Sequence, residues 1–278
     1  MTVKHKIIRK REKLFLLIKF NPAFTLSLGF LSLILFGTSL LMLPFATEDR
    51  HHLTFIDALF EATSAVCVTG LVVVDTQTTF TLFGQIVIMS LIQIGGLGFM
   101  TIGIMIALLL GKYIGLQSRL LIQESLNQLT LGGMVRLVKF VLIFTLLAEG
   151  IGAIILSIRW ANEYGMMKSI YYGIFHSISA FNNAGFDLIG NFSSMTKYVG
   201  DYTIVLTLSS LFIIGGLGFT VIMDIINKKS LKKLRLQTKI VIIMTVALNA
   251  LGTLFIFALE YNNPNTLGVL PLKDQLLG

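Results

Sequence analysis

Charge is scarce in this chain: Asp, Glu, Lys and Arg together make up 13% of its 278 residues. With 55% hydrophobic side chains and a mean hydropathy of +0.84, that scarcity excludes a soluble globular protein and points to a polytopic membrane protein. A single cysteine, Cys67, excludes an intramolecular disulfide and leaves the redox compartment unread. Histidine is almost as rare. His176 has no second histidine at ligand spacing, because His5, His51 and His52 belong to other regions, so no metal site is expected. A packing role with a hydrogen bond to a backbone carbonyl is the expectation for His176.

What the chain has in abundance is long uncharged runs. Asn21 to Thr47, Thr76 to Gly111, Tyr202 to Met223 and Ile240 to Leu259 each reach the roughly 20 residues a helix needs to cross hydrocarbon. Phe140 to Ile158 is a fifth run, broken only by Glu149. The formal net charge of +8 is unevenly placed: 17 of the 22 Lys and Arg lie before Asn21, between Lys112 and Lys139, or between Lys228 and Lys239. Basic loops beside apolar runs follow the positive-inside rule rather than a nucleic-acid footprint, so those segments and the N-terminus are expected in the cytoplasm. These segments hold no phosphate-binding glycine loop, nucleophile–base pair or catalytic carboxylate pair, so no enzyme is expected and any nucleotide control must come from a partner.

The pentapeptide Gly-Gly-Leu-Gly-Phe occurs at Gly95 to Phe99 and again at Gly215 to Phe219. Upstream, the segment Ser64 to Leu71 answers to Ser179 to Phe186 at an offset of 115 residues. An internal duplication of this size sets the architecture. The segments Phe55 to Val74 and Ser169 to Phe186 resist a spanning assignment. If either crossed fully, the next basic loop would face outside, so charge parity makes both re-entrant. Thr54-Phe55-Ile56-Asp57 reads as a capping-box-like helix start, and the helix is expected to run to about Val66.

The fold expected is therefore an all-α membrane protein of tandem, parallel helix–pore-helix–helix repeats. Residues 1–20 form a basic cytoplasmic N-terminus, 21–111 the first repeat, 112–137 a cytoplasmic linker and 138–227 the second repeat. Residues 228–238 form a basic loop, and 239–278 start a third repeat that breaks off.

Non-helical backbone at membrane depth must be buried in protein or line a wet cavity. A half-helix pointing its carbonyl end at the membrane centre favours a cation there, and an extended glycine-bearing stretch exposes carbonyls that replace an ion's hydration shell. Val68, Thr69 and Gly70, with Asn183, Ala184 and Gly185, are the candidate carbonyl donors; an ordinary turn is the alternative for either tripeptide. The pentapeptide glycines read either as close helix packing or as a thinning and bending of the second helix beside the pore. Asp57, Glu61 and Asp75 fall near the outer mouth, where they concentrate cations; a capping or loop-bracing role is the alternative for Asp57 and Asp75. Glu149 is an intramembrane carboxylate, either functional or buried in the bundle and paired with a cation or polar group on a neighbouring helix.

The runs Phe55 to Phe60, Val68-Thr69-Gly70-Leu71, Val74-Asp75-Thr76, Leu91 to Phe99, Gln123 to Asn127, His176 to Phe186 and Asn263 to Gly268 resemble the KtrB-type ion-translocating subunits of the Trk/Ktr/HKT superfamily. The resemblance covers nearly the whole chain. It implies a bacterial plasma-membrane protein that takes up potassium, promoted by sodium, through four repeats around one pore. Against those four repeats, this chain alone is expected to be an incomplete pore. It makes Gly70 and Gly185 filter glycines of the first two repeats. It also implies a homodimer seated on a KtrA/KtrC-type nucleotide-binding RCK ring, with no tightly bound cofactor in this chain. A coupled secondary transporter of another solute or of sodium is the alternative, although it would call for inverted repeats.

Overall fold

The computed structural model describes residues 22–48, 53–98, 134–228, 230–264, 266–275 and 277. Among them the regular elements are helical, apart from one isolated bridge between Thr47 and Phe80. Helix α1 (Pro22–Leu41) is followed by α2 (Phe55–Cys67), the four-residue α3 (Thr76–Thr79) and α4 (Leu82–Leu97). Then come α5 (Met134–Tyr164), α6 (Met166–Phe181), α7 (Tyr202–Gly216) and α8 (Phe219–Lys228), and last α9 (Leu236–Glu260) and the short α10 (Leu272–Gln275).

Two groups of three helices form. In the first, α2 packs on α1 and α4; in the second, α6 packs on α5 and α7, and contacts between α4 and α6 join the groups. A shared device sets the close approach within each. A Cβ on Gly37 of α1 would lie 2.6 Å from Leu91 of α4, and one on Gly152 of α5 would lie 2.7 Å from Leu211 of α7, so small residues admit a leucine from the facing helix. One apolar cluster runs through both groups, from Leu41, Ala62 and Ile88 to Trp160, Phe175 and Ile204.

Helix α2 begins where the sequence signals it. Thr54 Oγ1 accepts from the Asp57 N–H at 3.2 Å and donates to the Asp57 carboxylate at 2.6 Å, so the aspartate closes the cap with its side chain. The uncharged run from Thr76, by contrast, is not one helix. Helix α3 stops at Thr79 because the chain there turns to satisfy the loop that follows α1: Thr81 gives its N–H to the Ala46 carbonyl at 3.0 Å and its hydroxyl to the Phe45 carbonyl at 2.7 Å. Thr81 then caps the new helix α4. Residues 99–111 of that run, the basic segments 1–20 and 112–133, and Gln123 to Asn127 lie outside the described residues.

The run from Tyr202 is interrupted too, since α7 and α8 meet at a bend of 94°. By length and apolarity, Arg136–Tyr164 and Leu236–Glu260 suffice to cross a membrane, the bent pair makes up to a third span, and Leu26–Leu41 and Leu82–Leu97 are shorter apolar helices. Helix α9 contacts mainly α8, and its apolar side chains, Ile243, Leu254 and Leu259 among them, are exposed around most of its surface. An all-round apolar helix of this kind belongs in lipid or against further protein.

Candidate functional site

Helices α2 and α6 end in the same turn. Val68 N–H reaches the Ala65 carbonyl at 3.3 Å and Thr69 N–H the Ser64 carbonyl at 3.0 Å; 115 residues on, Asn183 N–H reaches Ala180 at 3.0 Å and Ala184 N–H reaches Ser179 at 2.7 Å. These paired bonds are the Schellman closure, which needs a left-handed residue after the helix. Val68 (φ 58°) and Asn183 (φ 60°) take that position. Asparagine tolerates it, whereas a β-branched valine is strained there by about 1–3 kcal/mol. Two residues later the backbone turns left-handed again, at Gly70 (φ 73°) and Gly185 (φ 77°).

The fold brings these two glycines together. A Cβ placed on Gly70 would sit 2.3 Å from the Ala184 carbonyl oxygen, and one on Gly185 would sit 3.6 Å from the Gly70 Cα. The segments from Val68 to Gly70 and from Asn183 to Gly185 thus lie side by side, each at the carbonyl end of its short helix. Beside the second segment an open cavity of ≈ 310 Å³ is lined by His176, Asn183, Gly185, Asp187 and Phe212, among others. Non-helical backbone here borders space, the condition under which it is tolerated at membrane depth.

The repeated pentapeptides stand behind these turns. A Cβ on Gly95 would lie 2.0 Å from the Val66 carbonyl oxygen, and one on Gly215 would lie 1.8 Å from that of Phe181, so the first glycine of each copy abuts the last turn of its own half-helix. The fourth residue of each copy, Gly98 (φ 78°) or Gly218 (φ 86°), is left-handed and ends the helix. Turning the Asn183 amide lets it donate to the Phe212 carbonyl at 3.2 Å and accept from the Gly216 N–H at 3.3 Å, tying the second turn to the second pentapeptide.

Glu149 is buried on α5 and accepts from Gln93 Nε2 of α4 at 3.2 Å and from Asn182 Nδ2, one residue past α6, at 3.1 Å. The same Asn182 amide also donates to Gln93 Oε1 at 3.1 Å. This trio joins the two helix groups beside the second turn. Its partners are amides on neighbouring elements, one of the two alternatives the sequence left open. Glu149→Leu strands the Gln93 donor and should cost about 1–3 kcal/mol, with part of the loss recovered by adding Gln93→Leu. Unfolding midpoints of the two single variants and the double variant check this.

Asp75 and Tyr171 join the two groups separately. Asp75 Oδ1 caps α3, accepting from Gln77 N–H at 3.0 Å, Thr78 N–H at 2.8 Å and Thr78 Oγ1 at 2.9 Å, while Oδ2 accepts from Phe192 N–H at 2.8 Å. Tyr171 Oη donates to Gln85 Oε1 at 2.9 Å across the same seam. Burial alone would raise the Asp75 carboxyl's pKa, but these four donors outweigh it and hold it below the ordinary carboxylate value. Its contribution to stability is therefore full above the unfolded value of about 3.9 and lost as pH falls through the lower folded value. The stability gap between the parent chain and Asp75→Asn should be constant at neutral pH and shrink below about pH 4, as pH-dependent unfolding would record.

His176 Nδ1 lies 2.7 Å from the Tyr172 carbonyl, the backbone bond expected of it. The sequence reading missed Gln93, Asn182, Gln85 and Tyr171. Gln93 and Asn182 stood out only as polar residues in apolar surroundings, with nothing in the duplication to mark either as a partner of Glu149.

The chain resembles known proteins throughout this region. Residues 18–260 match the TrkH family, described as cation transport protein. The Ktr system potassium uptake protein B of Bacillus subtilis is 49% identical over 267 residues, covering 96% of this chain and 59% of that protein. The protein of the same name from Vibrio alginolyticus is 45% identical, covering 90% of this chain and 54% of the relative. The potassium/sodium uptake protein NtpJ of Enterococcus hirae is 40% identical, covering 96% and 57%. The chain thus spans between half and three-fifths of the length of these curated relatives. Two short helices with matching glycine turns, and a family match that includes both of them, lead to one assignment: this chain belongs to the TrkH family of cation transport proteins, a family of transporters and not of enzymes.

Proposed function

We propose that this chain supplies part of a potassium uptake pore in a bacterial plasma membrane, with the backbone carbonyls of residues 68–70 and 183–185 as part of its selectivity filter. One observation carries the reading: two glycines 115 residues apart in sequence, each two residues past the same left-handed helix closure, meet in space. Left-handed residues alternating with another conformation let successive carbonyls face one side, the arrangement that replaces an ion's water shell. Residues 21–111 and 138–227 are then parallel repeats, and 239–278 open a third. The exposed face of α9 meets lipid or the portion of the relatives that this chain does not span. The N-terminus lies in the cytoplasm by the charge rule.

The names of the uptake proteins above support potassium as the ion, and the potassium/sodium uptake name of the Enterococcus relative supports promotion by sodium. A homodimer on a cytosolic nucleotide-binding RCK ring, of KtrA/KtrC type, is the assembly this reading carries with it, supported by the Ktr system names of the relatives.

The test is growth at limiting potassium in cells that lack potassium uptake. They would express either this chain or a chimera that continues it with the remaining portion of the Bacillus subtilis relative. The reading expects rescue by the chimera and loss of rescue on Gly185→Asp. Full rescue by the Gly185→Asp chimera would overturn it.

A further inference from the structure

The offset of 115 residues that relates Gly70 to Gly185 also relates two unlike buried side chains, Glu61 of α2 and His176 of α6. Both are within 1% of full burial, and neither belongs to the turn itself. Each reaches past its turn to the strand of irregular, non-sheet chain that returns from it. Glu61 Oε1 accepts from Val73 N–H at 2.8 Å and from Val74 N–H at 3.2 Å. His176 Nε2 accepts from Leu188 N–H at 3.1 Å. Val73 and Leu188 are themselves 115 residues apart, so the same bond is made twice, from the same helical position to the same strand position.

We infer that Glu61 and His176 are positioning residues that fix the returning strand behind each filter segment and thereby set how well the carbonyls discriminate between cations. The inference rests on the filter reading above. Each half-helix is anchored to the strand that follows the glycine, so the residues between, 68–72 and 183–187, are held at both ends. A carbonyl ladder discriminates by the number and spacing of its oxygens, and a strand free to shift loses that spacing.

The two units share an acceptor and not a charge. In the second unit the histidine is held in one tautomer: Nδ1–H donates to the Tyr172 carbonyl one helical turn back, leaving the Nε2 lone pair for Leu188. In the first unit the other carboxylate oxygen, Glu61 Oε2, is buried without a hydrogen-bond partner, so only Oε1 serves the strand. An amide oxygen should therefore replace either group. A role for Glu61 as an electrostatic attractor of cations predicts the opposite, since glutamine removes the charge.

The experiment uses the chimera and measures rubidium uptake with and without competing sodium, at matched amounts of membrane protein. Glu61→Gln and His176→Gln should keep the apparent affinity and the discrimination against sodium within about twofold. Glu61→Leu and His176→Leu, which leave buried N–H groups unmade, should each lose about tenfold in discrimination. The inference is overturned if the leucine variants discriminate as the parent does, or if Glu61→Gln fails as badly as Glu61→Leu. Where a leucine variant does not accumulate, amide exchange decides. Val73 and Leu188 should exchange slowly in the parent and in both glutamine variants, and fast exchange at either in the parent overturns the inference. A Gly70→Ala control separates the two levels: if it too leaves uptake and discrimination unchanged, the filter reading itself falls, whereas if it alone abolishes them, only the bracing role does.

Discussion

Gly70→Ala should abolish potassium uptake by the chimera, while Gly185→Ala should retain a measurable part of it. Both positions are left-handed, at φ 73° and 77°, and an alanine in that conformation costs about 1–2 kcal/mol. The difference lies in what surrounds them. At Gly70 the added methyl would stand 2.3 Å from the Ala184 carbonyl oxygen and 3.3 Å from the Gly185 Cα, both of them backbone. Relief requires residues 184 and 185 to move. At Gly185 the nearest atom is the Gly70 Cα at 3.6 Å, an ordinary contact, so only the conformational cost remains. We expect a loss of more than about a hundredfold for the first variant and about tenfold for the second, read as initial rates of rubidium uptake. Equal effects would show that the segments do not meet as described.

The second large effect distinguishes adjacent glycines of one motif. In Gly215→Ala the methyl would lie 1.8 Å from the Phe181 carbonyl oxygen and 2.9 Å from its carbon. Helix α7 would have to back away from the end of α6, at a cost of about 1–3 kcal/mol or more. One residue on, Gly216→Ala would meet only the Asn183 amide at 3.8 Å, and should be close to neutral. The first copy behaves differently. Gly95→Ala clashes like Gly215→Ala, at 2.0 Å from the Val66 carbonyl oxygen, but Gly96→Ala also clashes, at 2.1 Å from Asn182 Oδ1. That asparagine is held by Gln93 and Glu149 and cannot simply turn away. Unfolding midpoints of the four variants in detergent should rank Gly216→Ala apart from the other three.

The limits of α2 were legible in the sequence, and the seam between the two helix groups was not. The start of α2 is written in Thr54 and Asp57, a local pattern four residues long that needs no tertiary partner. Its end is written in Gly70, whose repetition as Gly185 pointed to the turn before any geometry was known. The close packing of the pentapeptides was equally readable, because glycine pairs in apolar helices have few other uses.

Glu149 could be picked out, but its partners could not, because they come from different copies of the duplicated segment. Positions at a seam need not repeat: residues 115 before Glu149 and 120 after Gln93 are Ile34 and Ile213, so the duplication gave no hint. The break between α3 and α4 was hidden for a related reason. The hydroxyl and N–H of Thr81 answer carbonyls of Phe45 and Ala46, some 35 residues earlier, while composition alone continues unbroken from Thr76. The bend after Gly216 was suggested by Gly218, yet its size of 94° depends on how α8 packs beside α5 and α9.

The most direct test of the filter assignment is a crystal structure of the chimera grown with rubidium, with the ion located by its anomalous scattering. The account predicts rubidium among the backbone carbonyls of residues 68–70 and 183–185, displaced by potassium and lost in Gly70→Ala. Rubidium bound elsewhere along the pore, with these two segments intact and empty, would contradict it.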